Sequence, residues 1–259
     1  MDIVTPFQYS LIYNAFSFTF ATMAAATAFL WLSRSQVAPA YRTALTISGL
    51  VTAIAAYHYW RIFESWIAAY TFGDGVVTAT PFAFNDAYRY VDWLLTVPLL
   101  LIELVLVMRL SREETMSKSV RLGTAAALMI ILGYPGEISN DVPTRVLWGT
   151  LSAIPFVYIV WELFSGLGKS IAQQPASAQN LVRKARLLTF ASWGFYPIVY
   201  MAPYAGLSGG TVTTTIQVGY TIADIVAKAG LGILIFLIAV RKSEAEAEAE
   251  AGGHKGYAA

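Results

Sequence analysis

Long apolar runs, broken at intervals by short polar stretches, dominate the chain. Seven runs lie near residues 7–32, 44–68, 87–109, 119–137, 145–165, 185–204 and 212–240. Each approaches or exceeds the ~20 residues an α-helix needs to cross a bilayer core. A helix satisfies its own backbone hydrogen bonds in lipid. The pattern therefore predicts an all-α membrane protein, a seven-transmembrane-helix bundle. The stretches between the runs are SRSQVAPAYR, FGDGVVTATPFAFND, RLSREETMSKS, EISNDVPTR, GKSIAQQPASAQNLVRK and APYAGLSGG. The second is long, Gly-containing and β-branched, which predicts a short hairpin. After Lys242 a Glu-Ala run leads into AGGHKGYAA. That composition predicts a disordered tail over 243–259, beyond a single domain at 1–242.

Composition agrees with a membrane class. The chain is 57% hydrophobic and 13% charged, against about 25% charged in ordinary soluble domains. Its mean hydropathy is +0.57. A net charge of +1 gives nucleic acid nothing to hold. The absence of Cys excludes disulfides, thiolate metal sites and a Cys nucleophile. Two His, one of them in the terminal tail, leave no zinc site, so no metal is expected. No basic region precedes the first apolar run, so direct insertion of the first span is expected rather than a cleavable signal peptide. All but four of the 17 Lys and Arg residues fall in the loops after spans one, three and five or in the tail. The exceptions are Arg61, Arg89, Arg145 and Lys228. This bias predicts a cytoplasmic C-terminus and an external N-terminus in a multi-pass protein of the cell membrane.

Charges inside the hydrocarbon core are expensive, and each is a functional candidate. Lys228 lies mid-span in TIADIVAKAGLGILIF, too deep to snorkel. A buried Lys can form a Schiff base with a carbonyl compound. Asp224, four residues earlier, falls on the same helix face. It is either a counterion to Lys228 or half of a buried ion pair that holds packing. Span three carries Arg89, Asp92, Thr96 and Glu103. At helical pitch Glu103 is rotated roughly 20° from Asp92 and displaced about 16 Å along the axis. Two carboxylates at different depths on one face suit a proton relay. A carboxyl in apolar surroundings is cheapest to keep protonated, so Glu103 is suited to hold a proton in reserve; the plain alternative is an interfacial Glu. His58, in AIAAYHYWRIF, either packs through hydrogen bonds or tunes a carboxylate on a neighbouring helix. Trp93, Trp193, Tyr196, Pro197 and Tyr200 crowd the same depth, as core packing or as walls for a flat conjugated ligand.

RYVDWLLTVPLLLIE in span three and YTIADIVAK in span seven closely resemble the microbial rhodopsins. WGFYPIVY in span six and LGYPGEIS after span four agree, and the resemblance covers all seven spans in order. It is nearest to the xanthorhodopsin and proteorhodopsin branch of outward proton pumps. The resemblance implies all-trans-retinal bound to Lys228 as a protonated Schiff base. It implies Asp92 as primary counterion and proton acceptor, Asp224 as second counterion and Glu103 as cytoplasmic proton donor. Thr96 would complete the acceptor–Thr–donor triplet, Arg89 would organise the extracellular half, and His58 would bond the acceptor carboxylate. The implied pocket comprises Tyr90, Trp93, Leu100, Met129, Gly133, Ser152, Phe156, Trp193, Tyr196, Pro197 and Tyr200. Leu100 stands where this group uses Leu for green absorption and Gln for blue. The last outer loop, APYAGLSGGTVTTTIQ, has no acidic residue, whereas Glu137 and Asp141 lie in another loop; late proton release is expected. A ring-like homo-oligomer is usual for such proteins.

Gly149, in VLWGTLS, stands where many retinal proteins carry Trp. In the xanthorhodopsin branch that opening admits the ring of a carotenoid antenna; the alternative is a Gly that allows close helix packing. The expected activity is light-driven transport rather than enzymatic catalysis. The rival function is a sensory photoreceptor signalling to a partner, which has no need of Glu103. Other ion pumps of the family lack the Asp92–Thr96–Glu103 pattern. A seven-helix receptor without retinal is a further alternative.

Overall fold

The computed structural model describes residues 4–207 and 209–255, the last four of these by backbone alone. Seven helices form the bundle. They are α1 (Pro6–Leu32), α2 (Arg42–Ala69), α3 (Ala87–Met108), α4 (Arg112–Glu137), α5 (Val142–Trp161), α6 (Ala176–Tyr200) and α7 (Gly210–Asp224). Helix α5 continues through a π-turn at Glu162–Gly166 into Leu167–Ile171. Helix α7 continues through a π-turn at Ile225–Gly230 into Leu231–Lys255. Among the described residues five helical stretches are long and apolar enough to cross a membrane by length and composition alone. Helices α2 and α6 complete the bundle.

Local signals set the helix ends. Thr5 and Gln8 form a capping box ahead of α1, with Pro6 in its first turn. Ser111 caps α4, and Asp141 caps α5. The Thr144 hydroxyl and amide, both donating to the exposed Asp141 carboxylate, hold it below the usual carboxylate range. The expected hairpin is present as β1 (Tyr70–Gly73) and β2 (Val76–Ala79), antiparallel, with Gly73 paired to Val76. Asp74 and Gly75 both have positive φ, as a two-residue hairpin turn requires.

The helices pack in sequence order, and α7 closes the ring by contacting α6, α1, α2 and α3. The α5 and α6 backbones approach one another least among ring neighbours, and side chains such as Tyr200 against Gly149 bridge them. The outside is apolar: Ile154, Val157, Ile198 and Leu147 are all more than half exposed. The inside holds Arg89, Asp92, Glu103, Asp224 and Lys228, each no more than 2% exposed. This inverted distribution is what a lipid-facing bundle with a polar interior requires.

The two ends of the bundle are closed differently. At the end bearing the hairpin, Trp66 is fully buried between Tyr9, Tyr70 and Phe84, with centroids 5.7, 4.5 and 5.3 Å away. At the other end, the tail end, α7 runs on past Lys242. The sequence predicts disorder from residue 243, but the backbone is helical to Lys255; residues 256–259 lie outside the described residues. The reason is local tethering together with Ala and Glu, which are good helix formers. Tyr41 donates to Glu246, and Arg109 pairs with Glu246 at 3.2 Å. Burial and that carboxylate acceptor push the Tyr41 hydroxyl up to about 12. Lys242 Nζ caps the end of α3, donating to the carbonyls of Val107 at 2.8 Å and Met108 at 3.2 Å and to Gln174 Oε1 at 2.6 Å.

Trp66→Ala is expected to destabilise the hairpin end by about 3–5 kcal/mol, read as a lower thermal midpoint in detergent. The buried indole N–H of Trp66 has no hydrogen-bond partner among the described residues, so Trp66→Phe should lose volume only and cost substantially less.

Candidate functional site

The site is built where α7 faces α3. Lys228 lies within the π-turn of α7, which begins directly after Asp224. Its Nζ donates to Asp224 Oδ1 at 2.6 Å and stands 2.8 Å from Asp92 Oδ2 on α3. All three side chains are at most 1% exposed. One ammonium therefore lies between two carboxylates, away from bulk water.

The two carboxylates are not equivalent. Asp224 accepts from Tyr59 at 2.6 Å, Tyr196 at 2.6 Å, Trp93 Nε1 at 3.0 Å and Lys228. Asp92 meets Lys228 Nζ at 2.8 Å and accepts from no other side chain among the described residues. Asp92 thus has one donor to give up on gaining a proton, whereas Asp224 has four.

Arg89 lies on the hairpin side of this group and is 2% exposed. It donates to Gln217 Oε1 at 2.9 Å, and Gln217 Nε2 reaches Asp86 Oδ2 at 3.4 Å. Its guanidinium stands 5.4 Å from the Tyr220 ring centroid and 6.0 Å from that of Tyr59. The Thr96 hydroxyl donates to the Asp92 backbone carbonyl at 2.8 Å, not to the carboxylate. His58 comes near without bonding: Nδ1 is 3.9 Å from Asp92 Oδ1 and 2.9 Å from the Ile54 carbonyl. The hydrogen bond expected between His58 and Asp92 is therefore absent, because its Nδ1 is engaged one helical turn back. Toward the tail end, Glu103 is fully buried, with the Ser48 hydroxyl as the polar group beside its carboxyl. Its distance along α3 from Asp92 is about 16 Å at helical rise.

A cavity opens from Lys228 and holds about 900 Å³ of atom-free space, its mouth included. All eleven pocket side chains expected from the sequence line it, as does Gly149. Val97, Ile130, Ala153, Tyr220 and Ala227 complete the wall. Trp93 is edge-on to Tyr196 and Tyr220, with both centroids 5.0 Å away. Glycines shape the far end. A Cβ on Gly133 would sit 3.4 Å from Ser152 Oγ, one on Gly149 would sit 3.2 Å from Tyr200 Cε1, and one on Gly136 would collide with the Tyr200 hydroxyl.

Residues 11–242 match the family described as bacteriorhodopsin-like protein. The chain belongs to that family. The green-light absorbing proteorhodopsin of Gamma-proteobacterium EBAC31A08 is 32% identical over 235 residues, 89% of this chain and 88% of that protein. Among solved structures, xanthorhodopsin, a light-driven ion pump with dual chromophore, superposes with a TM-score of 0.91 at 53% identity, over 95% of this chain and 99% of that one. Thermophilic rhodopsin gives 0.91 at 45% identity, with the same coverage.

The cavity fits retinal, the group that membership in the bacteriorhodopsin-like family implies. Carbon and aromatic faces make up most of its wall, with the Lys228 amine at its head to take an aldehyde.

Sequence reasoning missed Tyr59, Gln217 and the buried pair Glu137–Arg145, 3.2 Å apart. Glu137, placed in a loop by the sequence, ends α4. Its Oε2 lies 3.4 Å from the Tyr220 hydroxyl. Arg145 also donates to the Tyr200 carbonyl at 2.6 Å. The basic residue inside span five was the available signal for this pair.

Tyr59→Phe removes one of four donors to a buried carboxylate. The expected loss is about 1.5–3 kcal/mol of stability, measured by thermal or denaturant unfolding in detergent.

Proposed function

We propose that this chain is a light-driven outward proton pump carrying retinal on Lys228. The observation that carries this reading is a buried Lys between two unequal carboxylates at the head of an apolar cavity, with a second isolated carboxyl farther along α3. The names of its relatives, proteorhodopsin and the light-driven ion pump xanthorhodopsin, point the same way.

When bound, retinal supplies light absorption and, through its aldehyde carbon joined to Lys228 Nζ, a nitrogen-held proton that illumination makes transferable. The chain does the rest. Asp92 Oδ2, 2.8 Å from Nζ, takes the proton. Asp224 stays as the fixed counter-charge, because its donors hold it. Glu103 keeps a proton in a dry pocket and delivers it to Lys228 Nζ from the tail side. Thr96 ties the backbone at Asp92, and His58 Nδ1 stands 3.9 Å from that carboxylate. Arg89 and Gln217 lead toward Asp86 at the hairpin end. Glu137 is held by Arg145, which supports release late in the cycle from Asp92. The basic residues concentrated at the tail end make that face cytoplasmic, so net transfer runs outward. Directionality rests on Asp92 and Glu103 exchanging protons at different moments. A sensory photoreceptor has no use for an isolated, buried Glu103.

The wide α5–α6 backbone spacing, with Gly149 leaving only the Tyr200 ring beside the cavity, supports a carotenoid antenna as second chromophore. A homo-oligomer in the cell membrane is the assembly expected of such a pump.

Bacterial cells expressing the chain with all-trans-retinal should acidify the medium under green light, and a protonophore should abolish the signal. Lys228→Ala should lack visible absorbance, and Asp92→Asn should be coloured but silent. Glu103→Gln should slow recovery by on the order of 10²-fold. A coloured protein that leaves the pH unchanged would put the sensory reading first.

With a carotenoid added, its absorption bands should appear in the excitation spectrum of retinal emission. Gly149→Trp should remove those bands while pumping persists; bands unchanged in that variant would exclude the seam as the antenna site.

A further inference from the structure

On the outer surface, α4 and α5 leave an open groove of about 1020 Å³ of atom-free space, its mouth included, that shares no residue with the central cavity. Leu128 and Leu132 of α4 and Leu151, Ile154 and Pro155 of α5 line it. Leu128 and Ile154 are 47% and 64% exposed. Arg121 and Tyr158 stand at its tail end. From Arg121 to Leu132 the groove follows three turns of helix, about 16 Å at 1.5 Å per residue. That is half of a hydrocarbon core of about 30 Å. The groove is therefore one leaflet deep, with a basic mouth at the tail end and an apolar floor at mid-bilayer.

The charge at the mouth is built in. Lys118, one turn before Arg121, pairs with Glu162 in the π-turn of α5; these side chains are 12% and 5% exposed. A Cβ on Gly166 would collide with the Glu162 carboxylate, so Gly166 makes room for that pairing. Lys118 and Glu162 thus cancel. Arg121 donates only a 3.4 Å bond to the Ser117 carbonyl, and no ion pair engages it among the described residues. Its positive charge is left uncompensated. Trp161, 57% exposed, lies 6.2 Å from the Tyr158 ring, an aromatic pair of the kind found at the membrane interface.

We propose that this groove binds one anionic phospholipid of the tail-end leaflet. An acyl chain lies between α4 and α5, and Arg121 holds the headgroup phosphate. The free cation selects a headgroup of net negative charge over a zwitterionic one. A groove one leaflet deep is matched in length by a single acyl chain. A helix from a second copy is about 10 Å across and would lie along the whole bundle rather than half of it.

The test uses the full chain, stripped of lipid in mild detergent and titrated with phosphatidylglycerol or phosphatidylcholine of identical acyl chains. Native mass spectrometry counts the lipid retained. One phosphatidylglycerol per monomer is expected, held roughly fivefold more weakly by Arg121→Ala and as tightly by Arg121→Lys. Leu128→Trp, which fills the groove, should lose it. The chain has no Cys, so a fluorophore on Leu128→Cys gives a second readout that does not depend on the Trp variant folding. Phosphatidylglycerol brominated on its acyl chain should quench it, and Arg121→Ala should relieve the quenching. Equal retention of the two lipids, or wild-type binding by Arg121→Ala, overturns the proposal. So does a dimer that Leu128→Trp converts to monomer, which assigns the groove to a second copy. None of these readouts involves light, so failure here leaves the pump reading intact.

Discussion

The structure depends on the ammonium of Lys228 lying between Asp92 and Asp224 in a region closed to water. Three charges in a low-dielectric interior are tolerable only as a set. Removing one partner of such a group leaves an uncompensated buried charge, which is far more costly than replacing the group outright. Two carboxylates against one ammonium still leave negative charge. Arg89, turned inward and nearly inaccessible, balances it from the hairpin side. This requirement explains why polar side chains from α2, α3, α6 and α7 converge at one depth. Tyr59, Trp93 and Tyr196 all aim at Asp224, and each comes from a different helix.

That convergence is lopsided, and the imbalance is what chemistry can use. Three neutral donors are spent on Asp224 and none on Asp92. Asp92 has only Lys228 itself, at 2.8 Å, and His58 beside it is committed to the Ile54 carbonyl. A proton leaving Nζ thus has one lightly engaged acceptor and one heavily engaged one. Glu103, about 16 Å along the same helix, is fully buried with Ser48 beside it, and that distance separates its proton from the first exchange. Position along α3 and number of donors together give the interior a direction.

Much of this was legible in the sequence because charges are rare in lipid and spacing along a helix is rigid. Lys228, Asp224, Asp92 and Glu103 stand out from apolar surroundings, and the four-residue step from Asp224 to Lys228 brings them into contact. The pocket wall followed from the family resemblance, since aromatic residues alone do not distinguish a pocket from a core. Partners across helices were not legible. Tyr59 looks like one more core aromatic beside His58, and Gln217 like one more polar residue near a helix end. Their roles depend on helix rotation, which a hydrophobic pattern leaves free in a bundle apolar on the outside and mixed within. The π-turn around Lys228 has no sequence signature. The tail beyond Lys242 looked disordered by composition, but Glu246 is tethered by Tyr41 and Arg109, contacts that only the folded bundle supplies.

The seam between α5 and α6 raises a packing question that the ends of those helices answer. A bundle gains stability from close helix contact, yet here the backbones of two neighbours stay apart at membrane depth, and the Tyr200 ring of α6 packs where Gly149 of α5 has no side chain. The missing contact is replaced at the hairpin end. Arg145 of α5 reaches both Glu137 at the end of α4 and the carbonyl of Tyr200 on α6, while the Tyr200 hydroxyl donates back to the Arg145 carbonyl at 2.8 Å. One guanidinium therefore fastens three helices just beyond the opening. At the tail end Phe164, in the π-turn of α5, meets Phe190 of α6 at 5.6 Å and lies under the Arg186 guanidinium at 4.4 Å. Contacts at both ends allow the middle of the seam to stay wide, and that stretch lies beside the cavity that begins at Lys228.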